Sequence, residues 1–155
     1  MTKYFNENIN KLPQLPCIND DGLKLSESTA IFRYLMRDKL VPEHWYPRSL
    51  RTRAKIDEFL SWQQTNTRHA CNLYYQTKWL KPLITGNEPD RKTINELTDL
   101  IDKKLDIFEK TWLGKVRNNK REGVRHYMFD KMITFAELLP ACDMEQLSKI
   151  KYIYL

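Results

Sequence analysis

From Leu50 to Lys81 the chain reads "LRTRAKIDEFLSWQQTNTRHACNLYYQTKWLK", without a single glycine or proline. Those two residues are the ones that most weaken a helix interior, so their absence over this stretch predicts one unusually long helix. Pro82 and then "TGNEP" break the pattern. A second helix is predicted in "DRKTINELTDLIDKKLDIFEKTWLG", with Pro89 suited to its first turn. There Ile94, Leu97, Ile101, Leu105, Phe108 and Trp112 recur at three- and four-residue steps. That spacing makes one buried stripe, which Gly114 should end. The middle of the chain is therefore committed to helix packed on helix.

The upstream part has a different rhythm. In "LPCINDDGLKLSES" (15–28) two strand-like runs flank Asp21-Gly22, a strong signal for a two-residue hairpin turn. Pro16 has no N–H for a sheet ladder, so it belongs on an edge or at a site where something else supplies the pairing. "SESTAIFRYLMRDKL" then predicts a helix with Ser26 as N-cap and with Ala30, Ile31, Tyr34 and Leu35 on one stripe. "VPEHWYPRS" reads as a connector. Far downstream, in "MITFAELLPACDMEQL", Thr134 and Glu137 have capping-box spacing, and Ile133 and Leu138 stand where a hydrophobic staple would close. Pro140 inside that helix should bend it, and "SKIKYIYL" shows no clear element.

Composition narrows the function classes. With 155 residues, 41% hydrophobic and 30% charged, the chain has the make-up of a soluble globular protein holding one domain, or a small and a medium piece. No apolar run is long enough to cross a bilayer, and "MTKYFNENIN" has no apolar core of the secretory-signal kind. Cys17, Cys71 and Cys142 are odd in number and far apart, which points to free thiols in a reducing compartment, by default the cytosol. His44, His69 and His126 are equally scattered, so no metal site is expected. The net charge is +6, but "KVRNNKREGVR" (115–125) sets five cations against the single carboxylate of Glu122 and so carries +4 of it. One local basic loop is more in keeping with a solvated segment than with a nucleic-acid-binding face. Cys17, beside Pro16, is expected to be a buried strand cysteine rather than a redox centre. Tyr74, Tyr75 and Trp79 are expected in a core or cleft wall rather than a base-stacking platform.

Taken in order, these motifs resemble glutathione S-transferases, and the theta class most closely. The resemblance rests on the proline-bearing strand and hairpin, "LSESTAIFRYL", the connector "WYP" (45–47), "RTRAKIDEFLSWQ" and "ITFAELLPACDMEQ". It covers most of residues 9–113 and 129–146, and it breaks in the basic loop. It implies a mainly α protein: an incomplete thioredoxin-like β-hairpin plus helix over residues 1–40, a linker at 41–48, an all-helical C-terminal domain at 49–147 and a tail at 148–155.

The same resemblance implies a set of glutathione-binding residues. A cis Leu15-Pro16 bond would turn the backbone of Leu15 outward to pair with the cysteinyl part of glutathione by strand addition. Glu27 would meet the ligand's ammonium, and Ser28 with the helix N-terminus would bind its γ-glutamyl carboxylate. Gln14 would touch the glycyl end. From the residues alone, an edge proline and ordinary helix-start chemistry explain the same positions. Arg68 aligns with an arginine that theta enzymes direct toward the electrophile, although a solvated helix arginine explains it equally.

The implied activity is conjugation of glutathione to small electrophiles in detoxification, with no cofactor, no metal, no nucleic-acid or membrane partner, and a homodimer in the full-length family. The serine that holds the thiolate belongs to a strand-helix-strand unit that in the family precedes this region, so no catalytic residue is expected among those present. Three readings stay open: a transferase, favoured for family identity; a non-catalytic helical packing or dimerisation module that retains part of a glutathione site, favoured for the activity of this chain; and, ranked last, a basic nucleic-acid or membrane-surface binder.

Overall fold

The computed structural model describes residues 15–38, 41–114 and 127–150. The chain divides into two compact units at the Tyr46–Pro47 step.

The first unit is built on a hairpin. Strand β1 (Cys17–Asp20) pairs antiparallel with β2 (Leu23–Ser26) in the register Cys17↔Ser26, Ile18↔Leu25, Asn19↔Lys24 and Asp20↔Leu23. Asp21 (φ +47°) and Gly22 (φ +91°) form the turn, and positive φ at both central residues is what an Asp-Gly two-residue hairpin requires. The Asn19 side chain accepts from the Gly22 N–H at 3.2 Å and tightens the turn. Helix α1 (Ser28–Asp38) follows, and the Tyr34 hydroxyl donates to Asp20 Oδ2 at 2.8 Å, tying helix to strand. Ile31 is the buried residue of its apolar stripe, with Tyr34 and Leu35 half-buried, whereas Ala30 is exposed. The expected N-cap also shifts. Ser26 is still in β2, and the carbonyl that accepts the first helical bond, from Ile31 N–H at 2.9 Å, belongs to Glu27.

The second unit is helical: α2 (Leu50–Thr65), α3 (Thr67–Tyr75), α4 (Lys81–Thr85), α5 (Arg91–Phe108) and α6 (Phe135–Lys149). The one long helix expected over 50–81 is therefore interrupted. At Asn66 the backbone leaves helical geometry (φ −113°, ψ −91°), in the run Thr65-Asn66-Thr67, whose short polar side chains compete for backbone hydrogen bonds. The Asn66 side-chain amide donates to the Trp62 carbonyl at 2.8 Å. Further on, Gln76–Leu80 widens into a π-turn before α4, and Glu109–Leu113 does so after α5. Gly86 (φ +72°) ends α4 in the left-handed conformation that glycine tolerates best. Two finer expectations fail. Asp90, not Pro89, sets the start of α5, its carboxylate accepting from Thr93 N–H at 2.8 Å. Gly114 is right-handed (φ −59°), so it is no left-handed cap.

Packing follows the apolar spacing. Ala70, Cys71 and Tyr74 of α3, Ile101 of α5 and Leu147 of α6 form a buried cluster flanked by Ile94, Leu97, Leu100 and Leu105. A second, aromatic cluster centres on the fully buried Phe59 of α2, whose ring lies 5.0 Å from Trp112, 5.7 Å from Phe129, 5.9 Å from Phe108 and 6.2 Å from Trp62. Each such pair adds roughly 0.5–1.5 kcal/mol beyond the area it buries. Tyr74 is core, as expected, while the Tyr75 and Trp79 rings lie 5.1 Å apart, tilted by 36°, with Trp79 exposed. Cys17 is half-buried rather than buried, and the three cysteines are free.

Helix α6 starts on the expected capping box. The Thr134 hydroxyl accepts from Ala136 N–H at 3.3 Å, while Glu137 Oε2 accepts from Thr134 N–H at 2.9 Å. Glu137 Oε1 also accepts from Met128 N–H at 2.7 Å, so one carboxylate fixes both the helix start and the segment leading into it. Leu138, the expected staple partner, remains exposed. Pro140 lies buried inside α6. The basic loop 115–125 lies outside the described residues.

Thr134→Ala should lower the stability of the helical unit by about 1–2 kcal/mol in urea unfolding, since it removes a cap from a fully buried position. Glu137→Ala should cost at least as much, because two further backbone donors then lose their acceptor. A change under about 0.3 kcal/mol for both variants would contradict this assignment of the α6 start.

Candidate functional site

The hairpin register gathers most of the expected binding residues at one end of the first unit. Cys17 pairs with Ser26, so the residues just outside that pair are Pro16 and Leu15 on one strand and Glu27 and Ser28 on the other. The Leu15-Pro16 peptide bond is cis. Leu15 is 69% exposed and Pro16 is exposed, and among the described residues no third strand pairs beside them. Gln14 lies outside the described residues.

Glu27 is the unusual residue here. Its φ of +70° is left-handed, a conformation a side chain with a Cβ adopts at a cost of roughly 1–2 kcal/mol. That strained step turns the chain from β2 into α1 with no loop between them and leaves the Glu27 carboxylate exposed at the helix N-terminus. Ser28, half-buried, is the first helical residue. The first helical bond runs from Ile31 N–H to the Glu27 carbonyl, so this is the helix N-terminus, where the peptide dipoles favour an anion. The end of the hairpin thus offers an exposed strand backbone, an anion-favouring helix tip and a carboxylate that can take an ammonium. Together these suit a zwitterionic amino-acid head attached to an extended peptide.

Arg68 sits in the second unit, at the start of α3, half-buried and next to Asp143 of α6. Asp143 accepts a hydrogen bond from the Gln63 side-chain amide of α2, a residue with no exposed surface. Burial pushes the Asp143 carboxyl up to about 6, against the opposing pull of the Arg68 charge and the Gln63 hydrogen bond. Burial, reinforced by the Asp143 charge, pushes the Cys71 thiol up to about 12, so it stays protonated and unreactive. Gln63, Cys71 and Asp143 were not legible as a group, because 80 positions separate the two hydrogen-bonded residues and no spacing rule links them.

The helical unit also holds a groove of about 840 Å³ whose lining includes Leu105, Phe108, Leu113 and Met144, and none of the expected site residues. Among the described residues no three metal-ligating side chains gather, and no helix is long and apolar enough to cross a membrane.

Residues 2–37 match the family model described as glutathione S-transferase, N-terminal domain. Mouse glutathione S-transferase theta-1 is 34% identical over 105 residues, which is 68% of this chain and 44% of that protein. The human glutathione S-transferase T1-1 apo structure superposes with a TM-score of 0.84 at 28% identity, covering 97% of this chain and 59% of that one. A human theta-class glutathione transferase, solved in complex with the glutathione conjugate of 1-menaphthyl sulfate, gives 0.83 at 28% identity over 96% and 57%. The chain spans about half the length of the curated relatives it matches.

The strain at Glu27 is directly testable. Glu27→Gly should leave stability unchanged or raise it, within about 1 kcal/mol, because glycine accepts positive φ freely. Glu27→Val should lower it by more than about 1 kcal/mol in urea unfolding. A glycine variant clearly less stable than the valine variant would show that Glu27 does not hold this backbone.

Proposed function

The chain belongs to the glutathione S-transferase family, and we propose that its hairpin unit, residues 1–40, is a glutathione-binding element of the theta kind. The observation that carries this is the register that brings the exposed Leu15-Pro16 backbone to the same hairpin end as Glu27 and Ser28. Glutathione lies along the strand as an added edge, its cysteinyl backbone paired with that of Leu15. Its α-ammonium pairs with the Glu27 carboxylate, and its α-carboxylate takes the Ser28 hydroxyl and the N-terminal amides of α1. The all-helical unit, residues 49–147, supplies Arg68 as the candidate contact for an electrophile.

The reaction class is conjugation. Glutathione gives up its thiol proton to solvent, the sulfur forms a bond to an electrophilic carbon, and a halide or similar group leaves with the bonding pair. The residues named here bind and orient the peptide, and none of them is a thiolate-stabilising group. We place the activity in the cytosol, in keeping with the scattered free cysteines, and in a homodimer that removes reactive electrophiles. The competing reading, a helical packing module that keeps the peptide site without turnover, shares the binding step and differs only in chemistry.

Retention on immobilised glutathione tests the binding step, and conjugation of a halogenated aromatic or alkyl substrate tests the chemistry. Glu27→Ala and Ser28→Ala should each weaken retention, the first by about tenfold or more, as expected for a lost charge-assisted hydrogen bond of ~1.5–3 kcal/mol. Retention that survives the double variant unchanged would exclude this site. Retention without turnover would favour the packing module.

A further inference from the structure

Asp143 stands where helices meet, and the proposed binding of glutathione makes no use of it. From α2, Gln63 donates its side-chain amide to the carboxylate. From α3, Arg68 favours the ionised form by its charge, and Cys71 lies near enough to feel that charge. From α5, the Lys104 ammonium reaches the α2–α3 break, where it donates to Asn66 Oδ1 at 2.9 Å. Two buried oxygens near this break, Gln63 Oε1 and Thr67 Oγ1, have no hydrogen-bond partner.

The orphaned Gln63 oxygen matters because an amide side chain can serve either state of a carboxyl. When Asp143 is ionised, Gln63 presents its N–H, as seen here. When Asp143 carries a proton, a half-turn of the same amide presents Oε1, and the acid O–H can donate to it. That half-turn gives the orphaned oxygen a donor and moves the amide N–H2 into its former place, so the two arrangements differ in which end of Gln63 faces Asp143.

We propose that Asp143 is a proton-operated latch, joining α6 to the α2–α3 junction through two alternative hydrogen bonds with Gln63 and holding Arg68 only in its ionised state. The proton is exchanged with solvent; Gln63 reverses its amide and Arg68 loses the opposing charge, and no covalent bond other than the acid O–H changes. The transition falls near neutral pH because burial opposes Arg68 and Gln63 and prevails, placing the carboxyl at about 6. The direction follows from linkage. The folded carboxyl holds its proton more tightly than the ordinary 3.8 of the unfolded chain, so this group favours the folded state most at low pH. That contribution is lost as pH rises from about 4 through about 6, after which it stays constant. Whether the latch bears on an electrophile depends on the proposed role of Arg68, but its titration needs no ligand.

Carbon-13 NMR of the Asp143 carboxyl and nitrogen-15 NMR of the Arg68 guanidinium, recorded on the full chain against pH, test the proposal. Both resonances should shift together, with one midpoint near 6. Asp143→Asn should abolish the Arg68 shift, Asp143→Glu should restore one, and Arg68→Met should move the Asp143 midpoint to higher pH. In urea unfolding, the stability of Asp143→Asn relative to the parent chain should rise between about pH 4 and pH 7. A carboxyl that titrates at its ordinary value, or an Arg68 resonance that ignores it, would overturn the latch. Should the asparagine variant not fold, the titration of the parent chain decides alone. Loss of glutathione retention with the paired titration intact would sink the binding-site proposal and leave the latch standing.

Discussion

The register of one short hairpin determines what the first unit can bind. Side chains alternate across a strand, so a one-residue slip would exchange the two faces and shift Pro16 relative to Glu27. The Asp21-Gly22 turn opposes that slip, because its two-residue loop with positive φ at both positions sets which residues of the strands face each other. The strained Glu27 acts at the other end of β2. It converts strand to helix within a single residue, so the helix N-terminus starts beside the strand edge. Neither feature is a binding residue by chemistry alone. Together they hold a hydrogen-bonding edge and an anion-favouring tip at a spacing set by backbone geometry.

The helical unit solves a different problem, which is how to bend a long run of helix-forming sequence around two cores. Asn66 does this by taking the Trp62 carbonyl with its own amide and offering its oxygen to Lys104 of α5. Upstream of the break, α2 points Phe59 into the aromatic cluster; downstream, α3 points Ala70, Cys71 and Tyr74 into the aliphatic one. The π-turns at Gln76–Leu80 and Glu109–Leu113 rotate the following residues about the axis, so the apolar stripe need not keep one phase throughout. A straight helix from Leu50 to Lys81 could not face both clusters.

What the sequence made legible was local, and what it hid was either long-range or a contest between weak preferences. The Asp-Gly hairpin, the stripe Ile94–Leu97–Ile101–Leu105–Phe108 and the Thr134–Glu137 capping box are encoded within a few positions, and each appears in the structure. The interruption at Asn66 was missed because threonine and asparagine are only mildly unfavourable in helices, and the break is accompanied by a local bond to the Trp62 carbonyl and a long-range one from Lys104. Ser26 looked like the N-cap because serine is a favoured cap, yet β2 pairing with Cys17 claimed it and moved the cap one residue on. Within the candidate site, the expected cis bond at Leu15-Pro16 is present. The pairing of Gln63 with Asp143 had no counterpart in any motif.

That pairing shows how a fold can carry chemistry its binding site does not require. An arginine at interaction distance would ordinarily hold a carboxyl well below 4, and a donated amide hydrogen bond would lower it further. Here the carboxyl is nonetheless raised, so the burial imposed by α2, α3 and α6 outweighs both partners together. A hydrophobic residue at position 143 would escape the contest, but it would leave the Gln63 amide unpaired and Arg68 without its charge partner. A permanently solvated aspartate would keep Arg68 but could not join α6 to α2 from inside the core. A half-buried acid near its midpoint does both, and under the proposed latch the bonding of this junction depends on the proton concentration around it.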